Sequence, residues 1–570
     1  MAYEPRHMKW WGWGNEDVQF DSKAHPGFWP YAKSVLEIET DDFDQPHWML
    51  DAINIPEGRV DEHFLTKLRS FLAPTQICED KKERVIHAYG KGFRDLFRLR
   101  RGLANAAPDL IVYPQSEREV CLTLRSAADR DVVVIPFGGG SNISGCLERM
   151  DAGRVTVSLD MRRMRRVLEV DAHSCTARIE SGIFGPDLEQ QLSRQGLTLG
   201  HFPDSFLHST LGGWIATRSA GMQSDKYGKI EDMVLAVRMV TTEGVLTTRT
   251  VPKSSNGIDA NHICIGSEGT LGVITEATMR VHPRPELRVV SGYLFPDFES
   301  GIAAMHECMR QECMPAMARL NDPDKTALSF AFRPPASLIS QAAGSLFKTY
   351  LRAKGFMLPS ACLMLTAVEG RQNEVVRRLS QAEGIYQRCG AVSMGEDAGK
   401  SFEATKFDFP HIRDFLLDRN VTTDVSETST VWNNILPLYR GTTEVLRASI
   451  LDSGVRPWTG CHISHTYQSG ASVYFTFGFK QQSGYAMQQY LRVKRAAQQS
   501  FIDHGATLSH HHAVGTEHLP WLAADISPLG VQTVTAIKNA LDPANIMNPG
   551  RLQPSSNPFD QWMHLSQPLG

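Results

Sequence analysis

The 570 residues carry 42% hydrophobic and 21% charged side chains with a formal net charge of −4, and the pI is near 6.6. That is material for roughly two to four ordinary globular domains, and it lacks the basic footprint of a nucleic-acid binder, so no nucleic-acid partner is expected. The ten cysteines are scattered without a C-x-x-C pair, which argues against a zinc knuckle or a dithiol motif and for reduced, mostly buried thiols.

No run of about twenty apolar residues occurs, and Met1-Ala2-Tyr3-Glu4-Pro5-Arg6 has no apolar signal core. The end Gln567-Pro568-Leu569-Gly570 is not a peroxisomal address. A cytoplasmic protein, soluble or peripheral to a membrane, is expected.

In chain order, Met8-Lys9-Trp10-Trp11-Gly12-Trp13-Gly14 opens with three tryptophans that should pack on a neighbouring surface. A short amphipathic helix is predicted over 64–72 and a longer one over 84–102. The latter carries Arg94, Arg98, Arg100 and Arg101, a solvated face or a site for anionic lipid head groups. A strand over 110–113 leads into a helix opened by a capping box of Ser116 and Glu119. The β-branched run 132–135 is the next strand.

It delivers Pro136-Phe137-Gly138-Gly139-Gly140-Ser141-Asn142. Three glycines let the backbone take positive φ and approach a bound group, and successive N–H groups in such a turn form an anion-binding concavity. The spacing is neither G-x-G-x-x-G nor a P-loop. Alone it reads as a glycine turn; three later stretches favour a pyrophosphate cradle. These are Asp204-Ser205-Phe206-Leu207-His208-Ser209-Thr210 with the Ala-rich segment 211–221, then Tyr227-Gly228-Lys229-Ile230-Glu231-Asp232, then Gly266-Ser267-Glu268-Gly269-Thr270-Leu271-Gly272-Val273-Ile274-Thr275. Between them strands are predicted at 155–159, 167–170, 175–179 and 234–240, and a helix opens at Pro186.

After the break at Pro283-Arg284-Pro285, a strand–helix–strand pattern over 291–320 recurs over 362–394. Two such α/β halves on one antiparallel sheet suit a substrate-covering domain. The tail holds a helix over 484–504, the run Ser509-His510-His511-His512, and a last helix over 528–541.

Together the glycine-punctuated stretches resemble the FAD-binding fold of the vanillyl-alcohol-oxidase type. Ile412-Arg413-Asp414, Ser426-Glu427-Thr428-Ser429, Tyr474-Phe475 and Ser509-His510-His511-His512, in this order, are similar to the alkyldihydroxyacetonephosphate synthases, flavoenzymes that make the ether bond of ether lipids. The resemblance implies an α+β chain: a two-subdomain FAD-binding fold with an α/β cap domain on an antiparallel sheet and a helical C-terminal segment. The expected division is an N-terminal helical region over 1–105, the FAD-binding domain over 106–284, the cap over 285–483, and a segment over 484–570 completing the site.

The resemblance further implies that FAD is held by Pro136, Phe137, Gly138, Gly139, Gly140, Ser141 and Asn142, by Asp204, Ser205, Ser209 and Thr210, by Thr217, Arg218, Ser219 and Ala220, and by Glu268, Gly269, Thr270, Leu271, Gly272, Val273 and Ile274. Ser141 stands where many relatives carry a flavin-linking histidine, so the FAD is expected to be non-covalent. The family reaction replaces the acyl chain of acyl-dihydroxyacetone phosphate by a long-chain fatty alcohol and releases a fatty acid, with no net redox change. Tyr474 is then the acid/base, Arg413 the phosphate partner, Arg319 a further arginine near the flavin, and His510, His511 and His512 support the reacting centre. A homodimer with peripheral membrane contact is expected.

The residue types suit these roles. A guanidinium pairs a phosphate bidentately, and a phenol serves as acid/base for an alcohol if its pKa is lowered. Each has a plainer reading: Arg413 as a surface ion pair, Tyr474 as core, the histidines as a metal site. In a strand, His510 and His512 would share a face, but no third metal ligand is identified and no metal is expected. Gly460-Cys461-His462-Ile463-Ser464-His465-Thr466-Tyr467 departs from the eukaryotic members, which fits a bacterial homologue. An FAD-linked oxidase or dehydrogenase of a 2-hydroxy acid or alcohol is the competing reading, because one scaffold hosts both.

Overall fold

The computed structural model describes residues 8–39, 49–333, 338–555, 559 and 562. Residues 1–6 and 567–570 lie outside the described residues. Three sheets position the site. The first is four-stranded, in the order Ile77–Cys78, Leu110–Val112, Thr156–Asp160, Val133–Phe137. Thr156–Asp160 runs parallel to both neighbours and lies between the two strands of the expected β-α-β unit. The connecting helix Glu117–Ala128 starts where Ser116 Oγ accepts the Glu119 N–H. Only half of the capping box forms, because the Glu119 carboxylate accepts instead from Gln115 N at 2.7 Å.

The second sheet is antiparallel and five-stranded: Val167–Asp171, Thr176–Glu180, Val273–Arg280, Val234–Val240, Val245–Thr247. The third has seven strands, all antiparallel, in the order Val392–Gly395, Leu287–Phe295, Cys362–Gly370, Met317–Asn321, Trp458–Thr466, Gly470–Lys480, Val421–Val431. The fold is thus the expected α+β arrangement of two FAD-side subdomains and a cap on an antiparallel sheet. Segments from far along the chain on either side join the first sheet. Ile77–Cys78 adds a strand to the first sheet, and the Val134 N–H donates to Ile546 O at 2.8 Å. All ten thiols are free and six are buried, as the reduced-thiol reading expects.

The long helix expected over 84–102 is two helices, Lys81–Ile86 and Phe93–Arg100. The break has a steric cause. A Cβ on Gly90 would lie 2.0 Å from Asn142 O, and one on Gly92 would lie 2.7 Å from Ile143 O. The chain therefore passes flat against the end of the glycine loop, and the Lys91 N–H donates to Asn142 O at 2.8 Å.

Nor is this segment a solvated face or a lipid site. Arg94, Arg98 and Arg100 are buried. Arg94 Nη2 lies 2.9 Å from Glu148 Oε2, Arg98 Nη1 lies 2.5 Å from Glu148 Oε1, and Arg100 pairs with Asp418. Guanidiniums with carboxylates already against them are internal struts, and only Arg101 of the four is exposed.

Trp10 and Trp13 are buried. The Trp13 N–H donates to Asp414 Oδ2 at 2.9 Å, and Lys9 Nζ reaches the same oxygen at 3.3 Å. The tryptophan segment therefore clasps the helix Phe409–Leu417, which carries Arg413.

Candidate active site

The strand Val133–Phe137 ends in the glycine loop, which is pressed against residues 208–210. A Cβ on Gly138 would sit 2.3 Å from Thr210 Oγ1, and one on Gly139 would sit 1.9 Å from His208 O. Gly140 has φ +67. Close approach of two backbones thus demands the first two glycines, and positive φ the third. Thr210 caps the helix Leu211–Thr217, so two of the motif stretches meet at one cavity.

That cavity is lined by Pro136, Phe137, Gly138, Gly139, Gly140, Ser141 and Asn142, by Asp204, Ser205, Ser209, Thr210, Thr217, Ser219 and Ala220, and by Glu268, Gly269, Gly272, Val273 and Ile274. Three expected cofactor residues do not line it. Arg218 takes φ 53 to end its helix and lies against Gly266. Thr270 Oγ1 donates to Ser267 O at 2.7 Å, and Leu271 belongs to an apolar core. They shape the loops that line the cavity.

The wall offers unspent polar groups. The buried hydroxyls of Ser181, Ser267 and Ser464 have no hydrogen-bond partner among the described residues, yet all three residues line the cavity. Buried hydroxyls are normally satisfied. Together with the glycine loop they fit a polar, extended ligand such as FAD.

The opposite wall includes Arg319, Phe409, Arg413, His462, His465 and Tyr474 from the cap and His511 and His512 from the segment after it. Arg413 donates from Nη1 to Lys91 O at 2.7 Å and from Nη2 to Asp424 Oδ1 at 2.6 Å. It is therefore an ion pair, but a largely enclosed one at the cavity, not a surface one. Arg319 lies over the Phe409 ring at 5.3 Å, and its Nη2 is 3.5 Å from His462 Nδ1. No carboxylate pairs with it among the described residues.

Tyr474 faces the cavity within a ring of imidazoles: His462 at 4.6 Å, His512 at 5.5 Å and His511 at 6.1 Å between centroids. Burial raises its pKa above the ordinary phenol value, with Asp204 adding to the rise and Arg319 and Arg413 opposing it. The lowering on which general-base use of a phenol depends is thus not found. Tyr474 Oη therefore keeps its proton and is poised to donate it.

Residues 509–512 are a bend, not a strand, so His510 and His512 do not share a face by alternation. The chain wraps instead around the Glu427 carboxylate, which accepts from Ser509 Oγ at 2.6 Å and from the N–H groups of His510, His511 and His512 at 2.9–3.1 Å. Burial opposes the Glu427 charge, but His511, His512 and the hydrogen bonding hold its pKa well below the carboxylate range. His511 and His512 reach the cavity. His510 does not: its Nε2 lies 2.5 Å from Tyr467 Oη and its Nδ1 2.9 Å from His511 Nδ1. Burial holds both His510 and His512 well below the usual imidazole range, so they are neutral.

Glu427, His511 and His512 bring ligand atoms within 4.8 Å of one another, a set that could hold a metal ion. Glu427 Oε1 accepts from the hydroxyl and all three N–H groups and Oε2 from the His510 N–H, which makes this carboxylate the anchor of the bend.

Sequence reasoning missed Lys325, and it noticed His462 and His465 only as departures. His462 was findable, since it sits in register opposite Tyr474 in the antiparallel pair. His465 was not: it occupies a bulge between Ser464 and Thr466 with φ 50, a conformation that sequence alternation cannot reveal.

Comparison with known proteins agrees with this geometry. Residues 108–249 match the FAD binding domain family, and residues 284–552 match the C-terminal domain of FAD linked oxidases. The chain is 41% identical over 513 residues to an alkyldihydroxyacetonephosphate synthase of Dictyostelium discoideum, covering 90% of this chain and 84% of the relative. It is 38% identical to that of Trypanosoma brucei brucei, covering 88% and 82%. A solved structure of an alkyldihydroxyacetonephosphate synthase superposes with a TM-score of 0.84 at 37% identity, over 96% of this chain and 99% of the other. With the FAD-side loops and the cap wall enclosing one cavity, the chain belongs to the alkyldihydroxyacetonephosphate synthase family of FAD-binding proteins.

Proposed function

We propose that this protein is an FAD-dependent ether-lipid synthase that exchanges the acyl chain of acyl-dihydroxyacetone phosphate for a long-chain fatty alcohol. The observation that carries the reading is the cap wall. Two guanidiniums, a protonated phenol and four imidazoles share one cavity with the glycine loop. Arg319, with no carboxylate of its own, supplies net positive charge for the substrate phosphate, and Arg413, fixed by Asp424, supplies oriented donors. The glycine loop Gly138, Gly139 and Gly140 with Ser209, Thr210 and Thr217 would hold FAD, whose ring system would supply reversible two-electron chemistry compatible with no net oxidation. Tyr474 Oη hands its proton to a leaving carboxylate oxygen and regains one from the incoming alcohol, the balance an ester-to-ether exchange requires. His511 and His512 border the same oxygens.

The test is anaerobic, without an added acceptor, using acyl-dihydroxyacetone phosphate and hexadecanol. Synthesis predicts many turnovers, equal amounts of fatty acid and alkyl product, and full flavin absorbance once substrate is exhausted. A single turnover that bleaches the flavin and stops, with no alkyl product, would establish an oxidase instead.

A substrate with long chains calls for membrane contact, and among the described residues no helix is long and apolar enough to cross a bilayer. We place the contact on the helix Leu338–Ala353 and the turn after it. There Leu346 is 73% and Met357 72% exposed, and Tyr350 stands out beside them, with Lys348, Arg352 and Lys354 as basic flanks. Exposed apolar side chains among cations suit an anionic lipid surface.

A further inference from the structure

His462 and Tyr474 are directly opposed in the antiparallel pair Trp458–Thr466 and Gly470–Lys480. Their rings stack at 4.6 Å, and both line the cavity. Behind them lies Lys325, buried on the helix Pro323–Ala331. Its Nζ is 2.7 Å from His462 Nδ1 and 2.8 Å from Thr476 Oγ1. No carboxylate pairs with it among the described residues. Arg319 Nη2 approaches the same His462 nitrogen at 3.5 Å.

An ammonium and a guanidinium can only donate hydrogen bonds. While Lys325 is protonated, two such donors converge on one ring nitrogen, and that nitrogen presents its lone pair. A neutral imidazole then carries its proton on the other nitrogen. Among the described residues nothing bonds His462 Nε2.

We propose that Lys325, helped by Arg319, is a positioning residue that locks His462 as its Nε2–H tautomer and so fixes an N–H donor on the ring stacked against Tyr474. Under the synthase reading, on which this assignment of the acceptor rests, the donor serves an ester or alcohol oxygen of the substrate. Orienting partners of this kind commonly govern how an imidazole acts.

The surroundings agree. Burial, with the Arg319 charge adding to it, lowers the Lys325 pKa to about 7, against the opposing influence of Cys461, Asp322 and Asp204. Burial, Arg319 and Lys325 together hold His462 well below the imidazole range. When this corner carries a proton beyond the neutral ring's own, that proton sits on the lysine and the imidazole stays neutral.

The unaltered holoenzyme provides the first test. With ¹⁵N-labelled histidine, and His462 identified by its loss in His462→Gln, the ring should show a protonated Nε2 and an unprotonated Nδ1 at about pH 6, below the Lys325 pKa of about 7. A protonated Nδ1 overturns the proposal, whether or not any variant folds. The second test is a double-mutant cycle. Lys325→Met should lower kcat by about tenfold with little change in KM and with FAD retained. In a His462→Gln background, whose amide donates from the ε position without a lock, the same change should cost less than about twofold. An equal loss in both backgrounds means that Lys325 does not act through His462. A protein that makes no alkyl product yet shows the Nε2–H ring removes the synthase reading and leaves the lock standing.

Discussion

Arg413 and Asp424 form a 2.6 Å ion pair behind the cavity wall, and Asp424 is itself held by Tyr490 Oη at 2.9 Å and by Phe93 N at 3.2 Å. The guanidinium is thus aimed before any substrate arrives. Arg413→Ala removes a charged hydrogen-bond partner worth about 1.5–3 kcal/mol. Binding of the phosphate-bearing substrate should weaken by about 10- to 150-fold, read as a rise in KM with a much smaller change in kcat. An unchanged KM would take the phosphate away from this residue.

Tyr474→Phe keeps the ring stacked on His462 and removes the transferable proton. Turnover should fall by about 10²- to 10⁴-fold, with FAD still bound and KM near its original value. A rate near that of the unaltered enzyme would dismiss Tyr474 as the acid/base.

Ser141 lines the cofactor side of the cavity and has no ring nitrogen with which to link a flavin. Acid precipitation should leave the yellow colour in the supernatant. Flavin that stays with the pellet would contradict non-covalent binding.

Glu148 is wedged between Arg94 and Arg98. Burial raises its pKa, but the two guanidiniums outweigh that and lower it to about 2 from an ordinary 4.5. A depressed folded-state pKa means that the stabilisation is complete above about pH 4.5 and is lost as the pH falls towards 2. Urea unfolding across that window should show a loss that Glu148→Gln lacks. At pH 7 the same variant, which leaves buried guanidiniums uncompensated, should be destabilised by about 3–5 kcal/mol.

Anionic liposomes should carry the protein upward on flotation, and Leu346→Glu with Met357→Glu should reduce that fraction while leaving FAD content intact. Equal flotation of both proteins would move the membrane contact elsewhere.

The sequence by itself determined what near neighbours decide. The glycine loop after Val133–Phe137, the Ser116 cap, and the strand–helix–strand pattern around Phe298–Arg310 and Gln372–Arg388 all follow from steric rules and apolar period within a few residues. The order of the motif stretches was enough to identify the FAD-binding family. Tertiary structure decided the state of the charges. Arg94 and Arg98 look like a solvated face until Glu148, some fifty residues on, arrives between them. The His510–His512 run looks like a strand until Glu427 gathers its N–H groups. Lys325 has no local signature at all, because its partner His462 is 137 residues away. Burial and long-range pairing set whether a side chain is ionised and what it touches, and neither is encoded in the spacing of adjacent residues.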